Sequence, residues 1–294
     1  MIERFTAISR AKVNLALQVL YKRGDGFHEI ETVFQSVDLR DELDVQLRND
    51  GEILITCTDP DIPSGESNLC HKALRLMRRF AGKGLGATVH IEKRIPHSAG
   101  LGGGSSNAAA MILAVNAGCD LGLPIDTLES VALEIGSDVP FMLHGGTMLG
   151  RGRGERLSRL ESLKRCYFLI VKPPVNISSR WVYENINFRL TKNRYRFNLK
   201  RLNTVLARFP KVALSFKNDL ENVVCPAFPL IGGLLDQLLS CDPRFASMSG
   251  SGSALFAVFD SEAKASGLAE RFSIKGCFTS VVEPSPRAID LRPS

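Results

Sequence analysis

Four glycines in five residues, Gly100, Gly102, Gly103 and Gly104, are followed at once by Ser105, Ser106, Asn107, Ala108 and Ala109. Such a run frees the backbone to turn its N–H groups inward. The first turn of a helix behind it offers unpaired N–H donors and a positive dipole end, and together these bind phosphate. Ser105 and Ser106 add hydroxyls that can contact phosphate oxygens or a magnesium ion. Taken alone, the run is also compatible with a flexible turn closed by a serine cap. Two common phosphate motifs are excluded: no lysine follows the glycines as a Walker loop requires, and Ser105 stands where a dinucleotide fingerprint needs its third glycine. Two further stretches carry chemistry-bearing side chains. Lys12 and Asn14 lie side by side on one face of an alternating segment, and Ser249-Gly250-Ser251-Gly252-Ser253 lets the backbone approach a ligand or another loop closely.

These residues depend on the elements around them. From Lys12 to Leu20 the apolar residues Val13, Leu15, Leu17 and Val19 alternate with polar or small ones, which predicts a half-buried strand. Glu42 to Leu47 and Glu52 to Thr56 predict two more strands, separated by the turn Asn49-Asp50-Gly51. Apolar residues at three- and four-residue spacing predict a helix from Leu69 to Phe80. A strand from Ala87 to Ile91 leads into the glycine loop. An apolar helix follows from about Ser105 to Ala117, stopped by Gly118. Asp126 with Glu129 resembles a capping box for a helix ending at Ile135. Later come strands at Cys166 to Val171 and Ala254 to Phe259, and helices at Ile231 to Leu239 and Ser261 to Phe272. Strands and helices interleave without repeats, giving a mixed α and β class. The Gly- and Arg-rich stretch Gly145 to Gly154 is the expected boundary between two lobes, residues 1–155 and 156–294.

Composition narrows the functional classes. The chain has 294 residues, 44% hydrophobic and 23% charged, as in an ordinary globular protein. No apolar run approaches the ~20 residues of a membrane span, and Met1 to Phe5 lacks the apolar stretch of a signal peptide. The expectation is a cytoplasmic protein with no membrane partner. Seven irregularly spaced cysteines without a CxxC pair argue against a zinc site or a disulfide framework. The net charge of +6 and pI of about 9.0 suit a nucleic acid, an acidic membrane surface or an anionic small ligand. The densest basic stretches, Lys72 to Arg79 and Lys192 to Arg201, read as a helix face and as a polar loop or helix face. With one Trp and four Tyr, no aromatic platform for nucleic acid is visible.

The string Pro96-His97-Ser98-Ala99-Gly100-Leu101-Gly102-Gly103-Gly104-Ser105-Ser106 resembles the second signature motif of the GHMP kinases, which wraps the ATP phosphates. Ala11 to Leu15 resembles the first motif of that superfamily, and Ser249 to Ser253 the third. The resemblance covers nearly the whole chain. It implies an α+β fold of two lobes, an N-terminal ribosomal-protein-type lobe and a C-terminal α/β lobe, with the active site in the cleft. Arg23-Gly24-Asp25-Gly26-Phe27-His28, the triple glycine, Gly136-Ser137-Asp138-Val139-Pro140 and Asn218-Asp219-Leu220-Glu221 are similar to members acting on a cytidine-diphosphate-linked methylerythritol.

What this resemblance implies can be stated residue by residue. Phe27 would stack on the cytosine and His28 would meet its edge, and the chemistry of both side chains agrees. Tyr183 falls where a second aromatic covers the other face. Asn14, Gly250 and Ser251 would face the acceptor, and Lys93 and Asn68 the adenosine. Asp138, in a turn fixed by Pro140, is the candidate general base. Lys12 would pair with it and stabilise charge on the attacking oxygen. The implied donor is ATP with Mg²⁺, for which Ser106 is a candidate ligand. The protein would act as a monomer or weak homodimer. Two alternatives stand beside this reading: a GHMP kinase for homoserine or mevalonate, and a non-catalytic binding protein of the same fold.

Overall fold

The alternating N-terminal segment forms a strand far longer than its predicted core: β1 runs Arg4–Lys22 and pairs antiparallel with β2, His28–Arg48. A computed structural model describes residues 3–186, 196–211, 216–273 and 276–294. The remaining elements are β3 (Ile53–Cys57), α1 (Leu69–Ala81), β4 (Gly86–Glu92), α2 (Gly103–Gly118), α3 (Ile125–Ile135), α4 (Val139–His144), β5 (Thr147–Gly152), β6 (Arg156–Arg159), β7 (Tyr167–Lys172), α5 (Ser179–Glu184), α6 (Leu199–Arg208), α7 (Glu221–Ala227), α8 (Pro229–Leu239), β8 (Phe245–Met248), β9 (Leu255–Phe259), α9 (Glu262–Ser273), β10 (Phe278–Val282) and β11 (Ile289–Pro293).

The first sheet has the order β11-β1-β2-β4-β3, with β5 paired to the first half of β2 and β6 paired to β5. The second has the order β10-β7-β9-β8. The turn at Asn49-Asp50-Gly51 does not make β2 and β3 neighbours. β4 lies between them, antiparallel to β2 and parallel to β3. Helices α1, α2 and α3 cover one face of the first sheet, where Leu43, Val45, Val89, Met77 and Met111 share a core. Helix α2 is buried on nearly every side, which explains why its sequence is apolar throughout rather than striped. It starts two residues earlier than predicted, inside the glycine run.

Several expectations are corrected. β1 is not half-buried: between Ala11 and Leu17 both faces are covered, and Lys12 and Asn14 are each only 2% exposed. Val13 and Leu15 point into a core shared with Phe168, Ile170 and Phe256 of the second sheet, so β1 joins the two layers. No capping box starts α3. Pro124 occupies the cap position without a side-chain bond, Asp126 lies in the first turn, and Glu129 pairs instead with His144 at the end of α4. Helix α4 escaped the sequence reading because six residues are too few to show a period. The sheets do not divide at residue 155. β5 and β6 form one antiparallel pair across that point, and β11 returns to pair with β1.

Of the basic stretch 192–201, residues 192–195 lie outside the described residues, while Lys200 and Arg201 sit on the exposed side of α6. Cys70, Cys166 and Cys277 are buried and the other four cysteines partly so. Burial pushes the Cys70 and Cys166 thiols up to about 12. No single helix among the described residues is long and apolar enough to cross a membrane. The bent pair α7–α8 meets the length and composition of a span, but Ile231, Leu234, Leu235 and Leu238 of α8 are buried in the protein core.

Candidate active site

Two cavities meet beneath the glycine loop. The larger, about 840 Å³, is lined by Lys12, Asn14, Phe27, His28, Tyr183 and Ser251 among others. The smaller, about 450 Å³, runs along Pro96 to Ser105 and reaches Asn68 and Lys93. Four residues border both: Gly100, Ser105, Asp138 and Ser179.

Asp138 stands directly before α4, with Pro140 in the first helical turn fixing the backbone there. Its carboxylate Oδ2 is 3.3 Å from Lys12 Nζ, and the two side chains are 34% and 3% exposed. The lysine is thus the buried member and the carboxylate the one that faces the cavities. Lys12 Nζ also donates to Asn14 Oδ1 at 2.6 Å and lies 5.7 Å from the centre of the Phe34 ring. Asn14 is oriented in turn by Thr32: Asn14 Nδ2 donates to Thr32 Oγ1 at 2.8 Å, and that hydroxyl donates to the Ala16 carbonyl at 2.7 Å. A buried polar chain with each group satisfied holds its members in one geometry.

The glycine loop is anchored through three consecutive carbonyls, Ala99, Gly100 and Leu101. Lys12 N donates to the Leu101 carbonyl at 2.9 Å, so the first strand and the loop touch through backbone. Ser249 Oγ donates to the Gly100 carbonyl at 2.9 Å and also accepts from Asn14 N at 3.3 Å. Ala254 N donates to the Ala99 carbonyl at 3.0 Å. A side chain at Gly250, whose φ is +56°, would come within 3.1 Å of Asn14 Oδ1 and 3.3 Å of Lys12 Nζ. Ser251 Oγ bonds Ser179 Oγ at 2.7 Å. The three separate stretches that bear chemistry in the sequence therefore converge on one point.

The outer wall of the larger cavity is aromatic and cationic. Phe27 is 48% exposed. The Arg153 guanidinium lies 3.7 Å from its ring centre, while Arg153 Nε donates to Ser137 Oγ at 3.0 Å. His28 and Tyr183 stack at 5.3 Å with an interplanar angle of 29°. Tyr183 thus lies against His28, not across an open slot from Phe27. Burial pushes the Tyr183 phenol above its ordinary pKa, and the nearby Asp138 charge adds to the rise. Burial also pulls the His28 imidazole below its ordinary value, helped by the Lys22 charge, which favours its neutral form with one donor and one acceptor nitrogen.

Two expected nucleotide contacts, Lys93 and Asn68, have partners within the protein, and a third, Ser106, lines neither cavity. Lys93 Nζ is 2.8 Å from Asp41, with side chains 4% and 0% exposed, and also donates to the Ile95 carbonyl. Asn68 caps α1: its Oδ1 accepts from Cys70 N at 2.8 Å and its Nδ2 donates to the Pro63 carbonyl at 2.7 Å. Asn68→Ala is accordingly expected to lower thermal stability by about 1 kcal/mol, checked by a denaturation curve. A change in ATP affinity with unaltered stability would oppose that assignment. Ser106 is fully buried, its hydroxyl has no partner, and it borders neither cavity. Ser105, the residue before it, borders both cavities.

His97 Nδ1 is 3.1 Å from Asp59 Oδ2, and Asp61 joins them, so that three ligand atoms lie within 4.8 Å of one another. Asp59, Asp61, Thr32 and Ser179 carry no motif or spacing that marks them in the sequence, whereas His97 and Ser137 belong to stretches already singled out. For Arg153 the signal is the Gly- and Arg-rich stretch itself, which forms strand β5 and the turn after it rather than a boundary between lobes.

The chain matches the family models for the GHMP kinases N terminal domain over residues 68–146 and the GHMP kinases C terminal domain over residues 204–276. The 4-diphosphocytidyl-2-C-methyl-D-erythritol kinase of Geobacter sp. (strain M21) is 36% identical over 282 residues, covering 96% of this chain and 99% of that protein. The enzyme of the same name from Brevibacillus brevis is 39% identical, with 89% of each covered. A crystal structure of a 4-(cytidine 5'-diphospho)-2C-methyl-D-erythritol kinase superposes with a TM-score of 0.80 at 31% identity, covering 95% of this chain and all of that one. With both family domains present and identities above 30% along almost its full length, the chain belongs to the 4-diphosphocytidyl-2-C-methyl-D-erythritol kinase family of the GHMP kinases.

Proposed function

We propose that this protein transfers the γ-phosphate of ATP to the 2-hydroxyl of 4-diphosphocytidyl-2-C-methyl-D-erythritol, a step of the non-mevalonate route to isoprenoid precursors. The observation that carries the reading is the shared wall of the two cavities. Asp138, with Lys12 at 3.3 Å, stands where a donor held by the glycine loop and an acceptor held by Phe27, His28 and Asn14 would meet. Full-length relatives with that printed activity support it.

The residues would divide the work as follows. The loop from Pro96 to Gly104 and the N-terminal turn of α2 bind the donor's phosphates through backbone N–H groups. Asp138 accepts the proton of the acceptor hydroxyl as its oxygen bonds to phosphorus. Lys12 stabilises the negative charge that grows on that oxygen, and Asn14 holds the ammonium in place. Ser105 offers a hard oxygen ligand at the junction, and with the phosphate oxygens it would help hold the magnesium ion that neutralises phosphate charge when the nucleotide binds. Phe27 offers one ring face to the cytosine, since Arg153 covers the other. Gly250 and Ser251 line the acceptor side. The ligands are small molecules, neither nucleic acid nor membrane. The proposed setting is the cytoplasm, as a monomer or weak homodimer.

ADP release measured with ATP, magnesium and each of three acceptors tests the reading. Turnover is expected with the cytidine-linked acceptor and not with mevalonate or homoserine, which carry no base for Phe27. Turnover of mevalonate or homoserine alone would remove the cytosine roles. Phe27→Ala is expected to raise the acceptor KM roughly 10–100-fold, the value of one base–aromatic stack, with kcat little changed. An unchanged acceptor KM would place the base elsewhere.

A further inference from the structure

We infer that Asn218 is a positioning residue for phosphoryl transfer, acting through the Ser249–Gly252 loop on Lys12 and Asn14. The inference rests on the kinase reading above. Asn218 is 2% exposed and lies far from the glycine loop in sequence, yet its amide determines where that loop's partner sits. Its Nδ2 donates to two carbonyls of the Ser249–Gly252 turn and its approach, Met248 O at 2.8 Å and Gly250 O at 2.7 Å. Its Oδ1 accepts from Leu220 N at 3.0 Å, which fixes the orientation of the amide. The backbone on either side is tied to β1. Leu17 N donates to the Lys217 carbonyl at 2.9 Å, and Asp219 N donates to the Leu17 carbonyl at 2.8 Å. One side chain therefore links β1, which carries Lys12 and Asn14, to the loop that presses on both.

The geometry gives the link its consequence. Gly250, held by Asn218, packs so closely that a Cβ there would lie 3.1 Å from Asn14 Oδ1 and 3.3 Å from Lys12 Nζ. Ser249, one residue earlier, bonds both Asn14 N and the Gly100 carbonyl. A shift of this turn would move the acceptor side and the phosphate side relative to each other. Displacements of about 1 Å at a reacting pair can cost on the order of 100-fold in rate. Asn218 itself lines neither ligand cavity, so its effect should fall chiefly on kcat, with only a small change in the acceptor KM through Gly250.

The test uses the full chain with Asn218→Ala and Asn218→Asp, assayed by ADP release per folded molecule. In the same assay the wild type is measured first. Absence of wild-type turnover would fail the kinase reading, whereas an active wild type with indifferent variants would fail this inference alone. Asn218→Ala is expected to lower kcat about 10–100-fold while both KM values stay within roughly threefold of wild type. Asn218→Asp places a carboxylate against two carbonyls. Protonating it restores one donor, so its kcat relative to wild type is expected to rise as pH falls from 8 to 6. A purely structural asparagine would lower the melting temperature and leave that ratio flat. Variants with kcat within twofold of wild type, or failure of both to fold, would overturn the proposal.

Discussion

Asp138→Asn is expected to lower kcat by about 10²–10⁴-fold, the contribution of a placed general base, which corresponds to about 3–5 kcal/mol of barrier. The substitution preserves volume and leaves the start of α4 intact, because the Asp138 side chain makes no capping bond there. Lys12 keeps its bond to Asn14 Oδ1 at 2.6 Å, so the buried ammonium retains one partner. The melting temperature should therefore change little, and both KM values should stay within a few-fold. Single-turnover measurements with saturating ATP would isolate the transfer step from product release. A variant that retained kcat within threefold of wild type would exclude Asp138 as the base. The junction of the cavities would then have to act by positioning alone.

Gly100→Ala should damage the protein differently. Gly100 has φ +74°, and a Cβ there would fall 2.1 Å from the Ser249 carbonyl oxygen, a backbone atom that cannot rotate away. The left-handed backbone costs an alanine about 1–2 kcal/mol, and overpacking about 1–3 kcal/mol more. The expected result is a destabilisation of about 2–5 kcal/mol, read as a fall in melting temperature of roughly 2 °C per kcal/mol. A sharp rise in the KM for ATP should accompany it, because the loop must separate from Ser249. Gly104→Ala is the control. Its Cβ meets only Leu69 Cδ1 at 3.5 Å, in helix α2, where alanine is the better helix former by roughly 0.5–1 kcal/mol. Equal losses at both positions would mean that the glycines serve flexibility and not the contact with Ser249.

The contrast between those glycines illustrates what the sequence could reveal. Periodicity located α1, α2, β4 and β9 to within about two residues, because each has a single repeating face or a continuous apolar run. Pairing order was not legible: β3 lies beside β4 and not β2, a consequence of which hydrophobic faces meet far along the chain. The glycine loop and Lys12 were visible as residue types. The Thr32–Asn14–Lys12 chain was not, since it needs the register of β1 against β2, which places Asn14 opposite Phe34 after a shift between Asn14 and Ala16. Ser105 and Ser106 show a further distinction that spacing alone does not carry. Adjacent serines look equivalent in sequence, but a helix turns successive residues by about 100°. Ser105 therefore faces the cavities and Ser106 the interior. Arg153 and Phe27 are 126 residues apart, and only the pairing of β2 with β5 brings their ends together.

The central claim is that phosphate moves from ATP to the branched hydroxyl of a cytidine-linked acceptor, and product structure tests it most directly. After incubation of the wild-type protein with ATP, magnesium and 4-diphosphocytidyl-2-C-methyl-D-erythritol, ³¹P NMR should show one new phosphate monoester. It should be coupled to the methylerythritol carbon skeleton at position 2, with the diphosphate resonances of the acceptor unchanged and one ADP formed per product. A monoester at any other hydroxyl, or ADP and free phosphate with the acceptor intact, would contradict the account.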